Sequence, residues 1–169
     1  MGALVQLRSV MDAIDLPEGM EALLDPSTGE VLVMTDEERD ILDGEDVWGE
    51  ADLEMPEWER EAVARLRELV DSGRALSLPD RFDFHEWEVM RQFALSVEGA
   101  DESAVLFNAI HSSGAFRRFR AVVAELGLRE RWFEYRDLAL GELAKEWLGE
   151  HGIEFTEEAA RSPRTERRP

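Results

Sequence analysis

The chain has 169 residues and a net charge of −20 at pH 7, with 39 Asp and Glu against 19 Lys and Arg. The absence of cysteine excludes disulfides, thiolate metal sites and cysteine nucleophiles. No apolar run approaches the roughly 20 residues of a membrane span, and residues 1–15 lack the pattern of a signal peptide. We therefore expect a cytoplasmic protein, with a single globular domain over 1–155 and a disordered tail over 156–169.

The negative charge is concentrated in the first third of the chain. Residues 1–62 hold 19 Asp and Glu against three Arg, a net charge of −16, whereas residues 63–169 have a net charge of −4. Such a segment repels nucleic acid and anionic lipid. We interpret most of these acids as solvated surface, and docking of a basic partner is the alternative.

The N-terminal half predicts a helix over 4–14 and then a β-hairpin. Two apolar runs, 21–25 and 30–34, flank a loop that contains Pro26 and Gly29. Thr35 and Glu38 have the spacing of a capping box that opens a short acidic helix. An acidic loop over 43–54 carries Trp48, and a helix follows from Pro56 to Gly73. Its predicted buried stripe comprises Trp58, Ala62, Leu66 and Leu69, with Val63 and Val70 beside them.

The C-terminal half predicts four helices, which span 84–98, 102–111, 115–126 and 129–149, and a short strand over 153–155. Glycines separate the helices, as expected of left-handed caps. The fold class is therefore α+β and mainly α. An N-terminal hairpin packs on helices, and a four-helix half follows.

Enzymatic chemistry has little support in the sequence. His85 and Glu86 begin a zinc-like motif, but position 89 is Val where the second metal-binding histidine would stand. Asp83 and Glu86 fit a capping box instead. No nucleophile elbow, phosphate loop or dinucleotide fingerprint is present. We therefore predict no catalytic residue, no metal ligand and no cofactor, and a metal-dependent enzyme is the least favoured function.

A basic and aromatic stretch stands out from this acidic chain. At 100° per residue, Phe116, Phe119, Val123 and Leu126 share one face of a helix. The candidate contact surface comprises the outward-facing Arg117, Arg118, Arg120, Arg129 and Arg131. These arginines either pair with the chain's own carboxylates or form a site for phosphate, nucleic acid or an acidic partner.

The last helix predicts a buried ion pair. Its predicted apolar stripe contains Arg136, whose guanidinium needs a carboxylate partner when it is buried. Glu86 is the partner we predict, since its helical angle falls on the side of Met90 and Phe93. The other members of the predicted stripe are Phe133, Leu140, Leu143, Ala144 and Trp147.

An ordered set of segments resembles a known family. The set runs from Leu24-Asp-Pro-Ser-Thr-Gly-Glu-Val31 through Leu78-Pro79 and the pair Met90 and Phe93 to Gly114-Ala-Phe-Arg-Arg-Phe119. It ends with Trp132-Phe-Glu-Tyr135 and Trp147-Leu148 followed by Gly152-Ile153. From residue 23 to residue 153 the chain resembles the bacterial uncharacterised protein family numbered 0158. This resemblance implies a bacterial cytosolic protein without an assigned activity.

These observations favour a non-enzymatic protein-interaction or regulatory module. The candidate surface is the basic and aromatic stretch 116–136 with its five arginines, and the acidic segment 36–61 is a second candidate. Trp48 of the acidic loop either docks a partner or fills the domain's own core. Another protein is the expected partner and no membrane is involved. Nucleic-acid or phosphate-ligand binding through 117–131 is the alternative, which the net charge disfavours.

Overall fold

The computed structural model describes residues 2–44 and 55–157. Trp48, and all of the predicted tail beyond residue 157, lie outside the described residues. The strands are β1 (Val5–Gln6), β2 (Met20–Asp25), β3 (Glu30–Thr35), β4 (Leu76–Ser77) and β5 (Phe155–Thr156). The helices are α1 (Leu7–Ile14), α2 (Asp36–Asp43), α3 (Glu57–Asp71), α4 (Glu86–Ser96), α5 (Ala100–Ile110), α6 (Ala115–Glu125) and α7 (Arg129–Glu150). The predicted mainly helical α+β class and the four C-terminal helices are confirmed.

These elements form two compact units. Unit 1 comprises the described residues of Met1–Asp80 and Ala144–Pro169, and unit 2 comprises Arg81–Leu143. The single domain over 1–155 stays a prediction.

The predicted hairpin in unit 1 is confirmed. Strands β2 and β3 pair antiparallel from Met20↔Thr35 to Asp25↔Glu30. Gly29 in the connecting turn has a φ of +75°, and a Cβ there would lie 2.8 Å from the carbonyl oxygen of Leu4. The turn therefore requires glycine, both for its left-handed backbone and for the close approach of the N-terminal segment.

Two pairings extend this strand arrangement beyond the hairpin. The connector after α3 pairs with β2 as β4, which gives the strand order β3-β2-β4. Residues 5 and 6, predicted as helix, form β1 instead, because they pair in parallel with the C-terminal β5. Helix α1 consequently begins at Leu7.

Helices pack on both faces of the three-stranded sheet. Leu23 and Met34 form a buried cluster with Leu66 and Leu69 of α3, while α1 contacts β2 and β3. The predicted stripe of α3 is wrong at Trp58, whose side chain is 71% exposed, whereas Val63 is fully buried. The apolar packing of α3 thus begins at Val63, more than a turn after the helix starts.

The ends of two helices test the predicted capping boxes. At α2 the box is confirmed, because the Glu38 amide donates to Thr35 Oγ1 at 3.2 Å and the Thr35 amide donates to Glu38 Oε2 at 2.7 Å. At α4 the prediction is wrong, since His85 rather than Asp83 holds the N-cap position, with a left-handed φ of 47°. Glu86 instead directs its carboxylate to arginines of unit 2.

The buried positions of α7 differ from the predicted stripe. Phe133 is 59% exposed, and its neighbour Trp132 is buried in its place. The inward-facing positions repeat every four residues: Trp132, Leu140, Ala144 and Leu148 are buried, and Arg136, whose side chain is 16% exposed, lies among them. The predicted burial of Leu140 and Ala144 is confirmed. Trp147, also predicted as buried, is half-buried.

Candidate interaction site

The basic stretch lies on α6, on the first turn of α7 and on the short turn between them. Gly114 and Gly127 bound α6 with φ angles of +69° and +67°. The amide of Gly127 donates to the carbonyl of Ala124 at 3.2 Å, and the amide of Leu128 donates to the carbonyl of Val123 at 2.9 Å. These bonds satisfy the last carbonyls of α6 and fix the direction in which α7 leaves.

A cluster of aromatic rings anchors both helices from the inside. Phe119 of α6 and Trp132 of α7 are buried, and their ring centroids are 4.9 Å apart at an interplanar angle of 76°. Phe93 of α4 contacts both rings edge-to-face, at 6.2 Å from Phe119 and 5.3 Å from Trp132. Because this packing defines which face of each helix is internal, it also defines which residues face solvent.

The five predicted arginines are all exposed, and we call this set the arginine surface: Arg117, Arg118, Arg120, Arg129 and Arg131. Across residues 2–44 and 55–157, none of them forms an ion pair or a side-chain hydrogen bond with a carboxylate. The described part of the chain therefore does not support the interpretation that they pair with its own acids.

The arginine surface is a broad arc rather than a narrow stripe. Arg117 points away from the buried face of α6. Arg118 and Arg120 lie on either side of Arg117, about 160° apart around the helix axis. Arg129 and Arg131 likewise flank the buried Trp132. An extended ligand can contact more of this arc than a compact one.

Two phenylalanines add apolar area beside the arginines. Phe116, predicted on the buried face of α6, is 42% exposed, and Phe133 is 59% exposed. Phe116 is four residues before Arg120, and Phe133 is four residues after Arg129, so each pair lies side by side on its helix. The surface therefore combines cations with aromatic rings.

Arg136 has a different environment from these five arginines. Its Nε donates to Glu86 Oε1 at 2.9 Å, which is the pairing that the sequence predicts, and both side chains are 16% exposed. Its guanidinium also lies 5.3 Å from the centroid of the Phe84 ring, and Arg81 Nη2 is 3.8 Å from Glu86 Oε2. Arg136 is therefore part of the internal packing of unit 2.

Within the described residues, no group of three or more His, Asp and Glu side chains is arranged to hold a metal ion. None of the helices there has the length and apolar composition needed to cross a bilayer.

Two features of the structure, a histidine packed against aromatic rings and a groove, are absent from the predicted site residues. In unit 2, His111 lies between Phe107 and Trp87, at centroid distances of 4.4 and 5.6 Å. In unit 1, a groove of about 550 Å³ lies between α1 and β3. The spacing of Phe107 and His111 by four residues is a local signal, but the contact with Trp87 and the groove both depend on how separate elements pack.

A family model matches residues 30–166, which is most of the chain. The chain belongs to the uncharacterised protein family UPF0158. The match includes α6, α7 and the whole arginine surface. It begins at residue 30, near the end of the first segment that carried the resemblance, and it extends beyond the last of these segments. No curated protein and no solved structure matches this UPF0158 chain.

Proposed function

We propose that this protein is a non-enzymatic interaction module whose arginine surface binds an acidic segment of another protein. The observation that carries the proposal is that five exposed guanidinium groups have no carboxylate partner in the described residues, although the chain holds 39 Asp and Glu. A bound acidic segment would supply those carboxylates.

The chemistry of arginine suits such a ligand. Each guanidinium carries five N–H donors in a rigid planar arrangement, which matches a carboxylate in a two-pronged hydrogen bond. The helices that carry these side chains are held by the aromatic cluster around Trp132. Binding therefore orders side chains but does not have to order the backbone, which lowers its entropic cost.

An acidic protein segment fits better than a nucleic acid. The net charge of −20 creates long-range repulsion against any polyanion. A short acidic peptide carries few charges and therefore meets little of this repulsion. A duplex, by contrast, carries one charge per roughly 1.7 Å of its length.

Nucleic-acid or phosphate-ligand binding through 117–131 is the second candidate. The exposed rings of Phe116 and Phe133 favour it, because single-stranded bases stack on aromatic side chains beside arginines. This candidate predicts that affinity falls steeply with salt as counterions are released.

Fluorescence anisotropy with a labelled Asp- and Glu-rich peptide tests the proposal. We expect binding at 50 mM salt, weakened about tenfold by Arg117→Glu or Arg118→Glu, since each replaces an attractive charge with a repulsive one. Arg60→Glu, which changes an exposed arginine of α3, is the matched control and should bind as the unmodified chain does.

The outcomes separate the two candidates. A single-stranded oligonucleotide of the same charge that binds more tightly than the peptide would replace the proposal with its alternative. The proposal would be refuted if the peptide did not bind at 50 mM salt, or if Arg60→Glu weakened peptide binding as much as Arg117→Glu does.

A further inference from the structure

The groove in unit 1 lies along the outer side of an edge strand. Its wall on the sheet side is formed by residues of β3 and the turn before it, and no residue of β2 lines it. Leu16, which follows α1, contributes to the opposite wall, and the exposed Leu4 also lines the groove. A volume of about 550 Å³ falls within the roughly 300–1,000 Å³ of known binding clefts.

Strand β3 has a free backbone edge in the described part of the chain. The sheet order β3-β2-β4 pairs β3 with β2 on one side, and no described strand pairs with its other side. Its six residues, Glu30–Thr35, include neither Lys nor Pro, the residues that commonly protect an edge from pairing. Val33 is 42% exposed beside the groove. An extended chain could therefore add to the sheet at this edge.

The charge around the groove selects the kind of chain that would bind. Residues 2–44 hold eleven Asp and Glu against two Arg. Asp12 and Glu30 line the groove. Although they pair with Arg8 and Arg65, their side chains remain 66% and 42% exposed. A second copy of this chain would bring the same acidic edge and be repelled, whereas a basic segment would be attracted.

We infer that the edge of β3 binds an extended basic segment of a partner protein by strand addition. Backbone hydrogen bonds to β3 supply affinity, and alternate side chains supply selectivity. Apolar side chains on one face of the added strand would contact Val31, Val33 and Leu16 in the groove. Lys or Arg at the intervening positions would meet the acidic surroundings. The groove shares no residue with the arginine surface of unit 2, and this inference does not rest on the proposed function.

A labelled peptide of alternating Lys and Val, seven residues long, is the probe. We expect it to bind in fluorescence anisotropy and to slow hydrogen exchange of the β3 amides. Val33→Lys should weaken binding at least tenfold, because it places a like charge at the edge. Val70→Lys is the matched control, since Val70 is 43% exposed on α3 and does not line the groove, and it should leave binding unchanged.

Four results would overturn this inference. The first is equal binding of a Glu and Val peptide, and the second is unchanged binding to a Val33→Lys variant whose circular dichroism is native. The third is unchanged binding of a peptide with a central proline, which cannot complete the ladder. The fourth is self-association in sedimentation velocity that Val33→Lys abolishes, which would identify a second copy as the occupant. Arg117→Glu should not change binding of the basic peptide to the edge of β3. Failure of this inference is therefore distinguishable from failure of the proposed function.

Discussion

Glu88 shows how local hydrogen bonds set the charge of a single side chain. Its carboxylate accepts from Arg91 Nε at 2.9 Å, from Arg91 Nη2 at 2.7 Å and from Gln92 Nε2 at 2.9 Å. These bonds, those from Arg91 first, lower the pKa of Glu88 from 4.5 to about 2. A depressed carboxylate pKa stabilises the folded state at neutral pH, and this contribution is lost as the pH falls from about 4.5 to about 2.

We predict that Arg91→Ala raises the pKa of Glu88 towards its ordinary value. The two bonds from Arg91 disappear, while the bond from Gln92 remains and keeps the pKa somewhat depressed. NMR titration of the side-chain carboxyl carbon measures this shift. Gln92→Ala is the comparison and should raise the pKa less, so an equal or larger rise in that variant would contradict the order of causes.

At the scale of elements, the orientation of α7 depends on which of two adjacent aromatic residues faces inward. Trp132 is 4% exposed and Phe133 is 59% exposed. Removing a buried Trp typically costs about 3–5 kcal/mol, whereas an exposed ring contributes much less. We therefore expect Trp132→Ala to lower the free energy of unfolding by about 3 kcal/mol or more, and Phe133→Ala by less than about 1 kcal/mol. Urea denaturation of the two variants tests this, and similar losses would contradict the observed rotation of the helix.

The ion pair between Glu86 and Arg136 joins the start of α4 to α7. Arg136→Leu leaves Glu86 near Arg81 and places an apolar side chain beside Phe84. Glu86→Leu removes the carboxylate that neutralises a largely buried guanidinium, which is the costlier change. We expect losses in the free energy of unfolding of about 1 kcal/mol for Arg136→Leu and about 2–3 kcal/mol for Glu86→Leu. Equal losses in urea denaturation would contradict this prediction, because they would show that leaving Arg136 without its carboxylate costs no more than removing Arg136.

Elements with strong local signals were predictable, whereas the pairing of distant segments was not. The hairpin has a turn with Gly29 between apolar runs, and α2 has its capping box, so both follow from neighbouring residues. Strands β1 and β4 have two residues each and exist because distant segments pair with them. The choice of Trp132 over Phe133 depends on Phe93 and Phe119, which lie far from them in sequence. Adjacent aromatic residues on a helix do not by themselves reveal which one is buried.

For the whole molecule, charge and periodicity predicted where the arginines lie better than they predicted which groups surround them. Exposure of Arg117, Arg118 and Arg120 follows from the buried positions of Phe119 and Val123 on α6, which helical spacing indicates. Exposure of Arg129 and Arg131 depends on the rotation of α7, which the predicted stripe placed wrongly at Phe133. Their lack of carboxylate partners in the described residues could not be derived, because it depends on the positions of acids elsewhere in the chain. The groove beside β3 was missed for a similar reason, since the outer edge of β3 stays open only because β4 pairs with β2 and not with β3.

The parallel pairing of β1 with β5 has a consequence for the order in which the chain is completed during synthesis. Unit 1 begins with the first described residues and includes those after Leu143, while unit 2 is continuous in sequence. A nascent chain that has reached residue 143 contains every residue of unit 2, but it still lacks the strand that pairs with Val5 and Gln6. Unit 1 therefore begins to emerge from the ribosome before unit 2, but its sequence is completed after that of unit 2.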